Sequence, residues 1–311
     1  MRSWLPALAL FASCATSQTA TPQSVGSAAP ATALRRLRDQ LDARIAAQSG
    51  ADVAVWFLDL AHEDSLALNG GLSFHAASLM KVPVMIELFR RADSGELSLD
   101  RELVVHNQFA SIVDGSPFSL DAHDDSDSSI YGRIGQRMTL RELNERMITR
   151  SSNLATNILI GLLDPKRVNT TARALGAADI SVLRGVEDNK AFARGLSNTT
   201  TARDLGMLLV SIERGTAASR SSCDAMRQVL LRQEFSGEIP AGLPPGTPVA
   251  HKTGWITGTM HDAAIVYPRS RAPYVLVVLT RKIAQERDAQ RLIADVSRAV
   301  YEFTSRDRGA P

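Results

Sequence analysis

Strand-like segments lie at both ends of this chain, and helical segments fill the long middle between them. Residues 51–60 predict a strand, and three further strand-like runs separated by turn residues lie between residues 248 and 281. The late runs are short and closely spaced, which favours antiparallel pairing through hairpins. We therefore predict an α/β (α+β) fold: an antiparallel sheet from the N- and C-terminal parts, flanked by helices, with an inserted all-helical subdomain.

Helical periodicity and turn residues place the remaining elements. Residues 65–71 predict a second, shorter strand that ends in a glycine turn. Helical patterns cover 32–48, 78–94, 139–163 with a break at Ser151-Ser152, 165–176, 200–215, 220–233 and 285–305. Residues 107–137 lack periodicity and contain the acidic run D-A-H-D-D-S-D-S-S, so we predict a long loop whose charges face solvent.

Composition narrows the class of protein. The chain has 311 residues, of which 44% are hydrophobic, and a formal net charge of +2. This composition is ordinary for a globular domain, and the charge favours neither a nucleic-acid binder nor an acidic-surface protein, so we predict no nucleic-acid partner. The six histidines show no metal-binding spacing, so we predict no metal and no cofactor. We expect a monomer.

The N-terminus has the pattern of an export signal. Residues 1–14 combine a short positive end with the apolar run W-L-P-A-L-A-L-F-A, which is too short to span a membrane. The sequence F-A-S-C resembles the lipobox of bacterial lipoproteins, in which Cys14 would carry lipid. Phe11 replaces the usual leucine, so a plain signal peptide remains open. We predict an exported, periplasmic protein, a disordered tether over 15–31 and a single domain over 32–305.

The chain contains two cysteines, Cys14 and Cys223. If Cys14 is lipidated or removed, no internal disulfide can form. Cys223 has no neighbouring histidine or cysteine and is predicted to be a small core residue.

The segment A-S-L-M-K places Lys81 three residues after Ser78, at the head of a helix that is apolar nearly all round from Val82 to Phe89. Residues at i and i+3 share a helix face, and lysine is rarely buried without a partner. In one interpretation, Ser78 caps the helix and Lys81 reaches water. In the other, they are a nucleophile and its base. This stretch alone leaves both open.

Two later stretches bear on the choice. Ser151 and Asn153 fall at a helix break amid apolar residues. Lys252, Thr253 and Gly254 fall in a late strand, where glycine permits close approach of another backbone. Each stretch alone has a plain structural interpretation.

Taken together, the three stretches resemble the Ser-x-x-Lys, Ser-x-Asn and Lys-Thr-Gly motifs of the penicillin-recognising serine enzymes, in the order typical of the class A β-lactamases. The resemblance extends over residues 32–305 and includes Asn157, Gly258 and Asp262. It implies an acylating serine at Ser78. Burial beside the cation Lys252 would lower the pKa of Lys81 enough to make it the base.

The resemblance also implies roles for the other motif residues. Ser151 would relay a proton to the leaving nitrogen, and Asn153 would hold the substrate amide. Lys252 and Thr253, which precede Gly254, would bind the substrate carboxylate. The backbone N–H groups of Ser78 and Trp255 would form the oxyanion hole.

The chain departs from the family pattern at two places. Ser152 replaces an aspartate that is mainly structural in the family. In the family, a loop glutamate four residues before an asparagine positions the hydrolytic water together with that asparagine. Counting back from the threonine-rich exit of the loop makes Asn189 the matching asparagine, with an expected substrate contact, and places Gly185 where the glutamate would be. The nearest glutamate is Glu187, two residues out of register, and it is either a displaced base or a solvated charge.

We therefore predict a β-lactamase that opens the β-lactam amide. Two alternatives remain: a D-Ala-D-Ala carboxypeptidase that uses the same acylation chemistry on peptidoglycan peptides, and a β-lactam-binding sensor that is acylated without turnover.

Overall fold

The protein is described here by a computed structural model that covers Met1, residues 28–269 and residues 271–305. Its strands are β1 (Asp52–Asp59), β2 (Ser65–Leu68), β3 (Phe74–His75), β4 (Glu102–Val104), β5 (Phe109–Ala110), β6 (Pro117–Phe118), β7 (Arg137–Thr139), β8 (Thr199–Thr200), β9 (Val249–Ile256), β10 (Thr259–Val266) and β11 (Tyr274–Arg281). Its α-helices are α1 (Ala28–Ala46), α2 (Lys81–Asp93), α3 (Leu140–Thr149), α4 (Asn153–Leu163), α5 (Pro165–Ala174), α6 (Asn189–Ala193), α7 (Ala202–Glu213), α8 (Arg220–Leu230) and α9 (Glu286–Ser305).

The central sheet takes its strands from both ends of the chain, which confirms the predicted fold class. Its order is β2-β1-β11-β10-β9, and each neighbouring pair is antiparallel. Both faces of the sheet are covered by helices. Alternate residues of a strand point to opposite faces, so β1 contributes side chains to two different apolar clusters. Val55 and Phe57 of β1 pack in the apolar cluster that includes residues of α1 and α9. Ala54 and Trp56 pack in a second cluster, with residues of α2, α4 and α7.

The helical part lies between β2 and β9 in the chain, as the periodicity predicts. A 3-10 turn, Ala77–Met80, leads into α2, which is buried from Lys81 to Phe89. Thr139 and Glu142 form the reciprocal capping box that their spacing predicts at the start of α3. Cys223 is buried, as predicted, and its thiol is free.

Two predictions about irregular segments need correction. Helix α1 begins at Ala28, inside the segment predicted as a tether, and residues 2–27 with Cys14 lie outside the described residues. The segment predicted as a solvated loop contains β5, β6 and a 3-10 turn, and its Asp125 and Asp127 are buried. Within the described ranges, no helix is long and apolar enough to cross a membrane.

Candidate active site

Lys81 lies at the centre of the site and is fully buried. In a 3-10 turn, residues i and i+3 are eclipsed, so the half-buried Ser78 and Lys81 share one side of the chain. The Lys81 ammonium donates to the Ser151 carbonyl oxygen at 2.6 Å, to Ser151 Oγ at 3.1 Å and to Asn153 Oδ1 at 2.9 Å. The interpretation in which Lys81 reaches water is therefore wrong.

Ser151 connects the two lysines of the motifs. Its hydroxyl oxygen lies 3.1 Å from Lys81 Nζ and 3.0 Å from Lys252 Nζ. The residue sits between α3 and α4 with a φ of 57°, a conformation that is costly for a residue other than glycine. The backbone turn at Ser151 thus presents both the carbonyl and the hydroxyl to Lys81, and forms a continuous path Lys81–Ser151–Lys252.

Burial changes the proton affinity of both lysines. It lowers the pKa of Lys81 to about 7, against the opposing attraction of the Asp125 and Glu187 carboxylates. It also lowers the pKa of Lys252 well below its usual range, and the neighbouring Lys81 charge acts in the same direction. An amine that releases its proton near neutral pH can serve as a base.

Gly254 brings strand β9 against the turn that carries Ser78. A Cβ atom built on Gly254 would lie 3.2 Å from the Ser78 backbone nitrogen and 3.3 Å from Ala77 Cβ. The close approach brings the backbone at Gly254 against that of Ser78, and Trp255 is the next residue of the strand. The Trp255 side chain itself is 53% exposed at the edge of the site. Thr253 is buried, and its carbonyl accepts from Lys252 Nζ at 2.8 Å.

Glu187 points towards this cluster. Its Oε1 accepts from Asn153 Nδ2 at 2.7 Å, and burial is the main cause that raises the pKa of its carboxyl. The backbone before it is clamped by Asn157, which donates to the Val186 carbonyl at 3.0 Å and accepts from the Val186 N–H at 2.6 Å. A side chain at Gly185 would collide with Asn157 at 2.3 Å. The interpretation of Glu187 as a solvated charge is therefore wrong.

Asn189 is not brought into the cluster. Asp188 caps the short helix α6 by accepting from the Ala191 N–H, and it also accepts from Ser111 Oγ and the Ile112 N–H. This capping makes Asn189 the first residue of α6, with an exposed side chain. The expected substrate contact of Asn189 thus has no support from its position.

Sequence reasoning missed Asp125. Its carboxylate accepts from the backbone N–H groups of Asn153 and Leu154, at 3.0 and 2.9 Å, and from the Tyr131 hydroxyl at 3.2 Å. In the sequence, Asp125 stands in an acidic run, and nothing local separates it from its exposed neighbour Asp124. Within the described ranges, no group of three or more histidine, cysteine, aspartate or glutamate side chains is placed to hold a metal ion.

Comparisons of the sequence and the structure with known proteins all indicate the same protein family. The family model described as "Beta-lactamase enzyme family" matches residues 36–304. The β-lactamase AST-1 of Nocardia asteroides is 28% identical over 302 residues, which are 94% of this chain and 93% of that protein. A solved β-lactamase of Sphaerobacter thermophilus has a TM-score of 0.73 at 26% identity and covers 86% of this chain and 97% of its own. The structure of PBP-A has a TM-score of 0.75 at 27% identity, with 86% and 96% covered. The chain therefore belongs to the β-lactamase enzyme family.

Proposed function

We propose that this protein is a serine β-lactamase that opens the β-lactam amide through an acyl-enzyme at Ser78. The observation that carries the proposal is the buried path from Lys81 through Ser151 Oγ to Lys252, next to the turn that presents Ser78. Family membership and the β-lactamases among the similar proteins support the same activity.

In acylation, Ser78 Oγ attacks the lactam carbonyl, and neutral Lys81 takes the hydroxyl proton. The carbonyl oxygen becomes negative and receives the backbone N–H groups of Ser78 and Trp255. The ring C–N bond then breaks. The proton passes from Lys81 through Ser151 Oγ to the leaving nitrogen, along the 3.1 Å contact. No proton is gained or lost overall.

The remaining motif residues would recognise the substrate. Lys252 and Thr253 would bind its carboxylate, and arrival of that negative charge would favour the protonated form of Lys252. Asn153 would donate its side-chain amide to the substrate's acylamide oxygen, an exchange that releases the hydrogen bond to Glu187.

For deacylation we propose Glu187 as the base. Its carboxylate would take a proton from a water molecule, whose oxygen attacks the ester carbon. The C–Oγ bond then breaks, and the proton passes from Glu187 to Ser78 Oγ, which restores both the carboxylate and the hydroxyl. The inward position beside Asn153 supports this role, although Glu187 is out of the family register.

The test is turnover of a chromogenic cephalosporin by wild type and Ser78→Ala, with intact-protein mass spectrometry of each. We expect hydrolysis by wild type and neither hydrolysis nor adduct with Ser78→Ala. Release of D-alanine from a pentapeptide without cephalosporin turnover would favour the carboxypeptidase. A permanent adduct would favour the sensor.

We further propose, from the sequence alone, that the protein is exported to the periplasm and anchored by lipid at Cys14. Palmitate labelling of wild type that disappears in Cys14→Ser is the expected result. Labelling that survives the substitution would contradict the anchor.

A further inference from the structure

The first N–H groups of α4 donate to a carboxylate that comes from a distant loop. The first N–H groups of a helix have no partner within the helix. Here Asp125 accepts from Asn153 and Leu154, and the Ser152 hydroxyl accepts from Ala155 at 3.3 Å. Ser152 stands where the resemblance expects an aspartate, so a carboxylate from a distant loop serves the start of this helix.

Asp125 is itself held in place on several sides. Its Oδ1 also accepts from the Asp127 N–H at 3.0 Å, and its Oδ2 accepts from the Tyr131 hydroxyl. Three of these partners are backbone N–H groups, which can only donate, and the Tyr131 hydroxyl oxygen alone could accept from the N–H₂ group of an asparagine. The arrangement therefore suits a carboxylate better than an amide. The residue is only 6% exposed.

The same carboxylate is connected to the reacting groups through one residue, Asn153. Asn153 touches Lys81 through its side chain and Asp125 through its backbone, while Ser151, two residues before Asn153, carries the hydroxyl between the lysines. The charge of Asp125 is the largest attraction that raises the pKa of Lys81, ahead of Glu187.

We propose that Asp125 is a positioning residue of the reaction: it fixes the Ser151–Asn153 turn at the start of α4 and supplies a fixed negative charge opposite Lys81. The proposal rests on the proposed function for its effect on acylation. The other charged or titratable groups on the elements packed around Lys81 and Asp125 include Glu187 from the loop before α6, Lys252 from β9 and Tyr131 from the 3-10 turn Ser128–Arg133. Asp124 and Asp127 lie in the same loop as Asp125, and Asp127 pairs with Arg146 of α3.

The decisive measurement is the pKa of Lys81 by NMR, which needs no substrate. The chain has five lysines, so the side-chain ¹³Cε signals are few, and loss of one signal in Lys81→Met assigns it. Removal of the charge by Asp125→Asn should lower the Lys81 pKa by about 1 unit. Asp127→Asn is the matched control, because Asp127 is a buried acid of the same loop that pairs with Arg146 instead; it should leave the Lys81 pKa unchanged.

The second measurement is the single-turnover rate of acylation by a fluorescent penicillin. Asp125→Asn should slow acylation by about tenfold or more, since the turn loses a matched acceptor. Asp125→Glu keeps the charge but not its position, so it should keep the Lys81 pKa and still slow acylation. A purely structural role would slow both variants and leave the pKa of Lys81 unchanged in both.

Three results would overturn the proposal: an unchanged Lys81 pKa in Asp125→Asn, an equal shift in Asp127→Asn, or acylation at the wild-type rate in Asp125→Glu. The last result suffices if Asp125→Asn does not fold. If wild type is never acylated, the proposed function fails, whereas the NMR titration still decides whether Asp125 controls Lys81.

Discussion

Asn153 Nδ2 donates to Glu187 Oε1 at 2.7 Å, while Asn153 Oδ1 accepts from Lys81 at 2.9 Å. One amide therefore links a carboxylate from the loop before α6 to the buried amine behind Ser78. The link exists although Glu187 is displaced by two residues from the register that the family resemblance implies. A carboxylate and an amine are thus held by the same side-chain amide, and the two steps of the proposed hydrolysis can use different bases.

The first prediction concerns Glu187→Gln. The variant should acylate but release the product at least about 100-fold more slowly, since a lost general base typically costs that much. The acyl-enzyme should then accumulate as a mass shift on the intact protein. Because the pKa of Glu187 is raised, deacylation by wild type should rise with pH through a midpoint above the ordinary glutamate value of 4.5.

The outcome that contradicts this role is a Glu187→Gln variant that turns over at the wild-type rate. Lys81 would then be the remaining base next to Ser78. Glu63→Gln is a suitable control, because it removes a surface carboxylate that pairs with Arg214.

The second prediction concerns Lys252→Ala. Loss of a buried charge partner should cost about 2–5 kcal/mol in acylation of penicillins. A β-lactam that lacks the carboxylate should lose far less, because Lys252 would have nothing to recognise there. The measurement is the second-order acylation constant for a matched pair of compounds. Equal losses for both compounds would exclude carboxylate recognition.

The third prediction concerns the contact between β9 and the Ser78 turn. Gly254→Ala puts a methyl group 3.2 Å from the Ser78 nitrogen, so the strand or the turn has to move by a few tenths of an ångström. We expect acylation to slow by about tenfold to 100-fold, because the shift would displace both donors of the proposed oxyanion hole.

Gly161→Ala serves as the matched control for Gly254→Ala. Gly161 lies within α4, and its added Cβ meets nothing within 4 Å. That variant should keep its acylation rate and gain about 1 kcal/mol of stability, the usual advantage of alanine over glycine in a helix. A Gly254→Ala variant that acylates as fast as Gly161→Ala would contradict the proposed oxyanion hole.

Part of this structure could be predicted from sequence because the signals are local. The apolar runs of β1 and of β9 to β11 predict a buried sheet, and the apolar surroundings of Lys81 predict its burial. The position of Asp125 depends on where its loop crosses α4, and that information lies 28 residues away in the chain. The inward turn of Glu187 likewise depends on the clamp between Asn157 and Val186, a contact over 29 residues.

The last prediction concerns Glu238, one of two buried acids, with Asp262, whose charges act on Lys252. Asp262 is buried and accepts from His251 Nδ1 at 3.0 Å and from the Ile239 N–H at 3.0 Å. The neighbouring Glu238 is also buried, and its Oε2 has no hydrogen-bond partner among the described residues. Burial is the main cause that raises the pKa of Glu238 to about 7, and the charge of Asp262 acts in the same direction.

The sign of the pH effect follows from this raised pKa. The folded protein binds the Glu238 proton more tightly than the unfolded chain, whose glutamate has a pKa near 4.5. The stabilising contribution of the protonated group is therefore complete below about pH 4.5 and is lost as the pH rises to about 7. Glu238→Gln, which stays neutral, should be more stable than wild type above pH 7, by on the order of 3 kcal/mol, and close to wild type at pH 4.5.

Urea unfolding at pH 4.5 and pH 8 measures this difference in stability. Glu302→Gln, at an exposed glutamate, is the control and should show no difference from wild type. An equal stability of wild type and Glu238→Gln at pH 8 would mean that Glu238 ionises there without cost, and it would contradict the prediction.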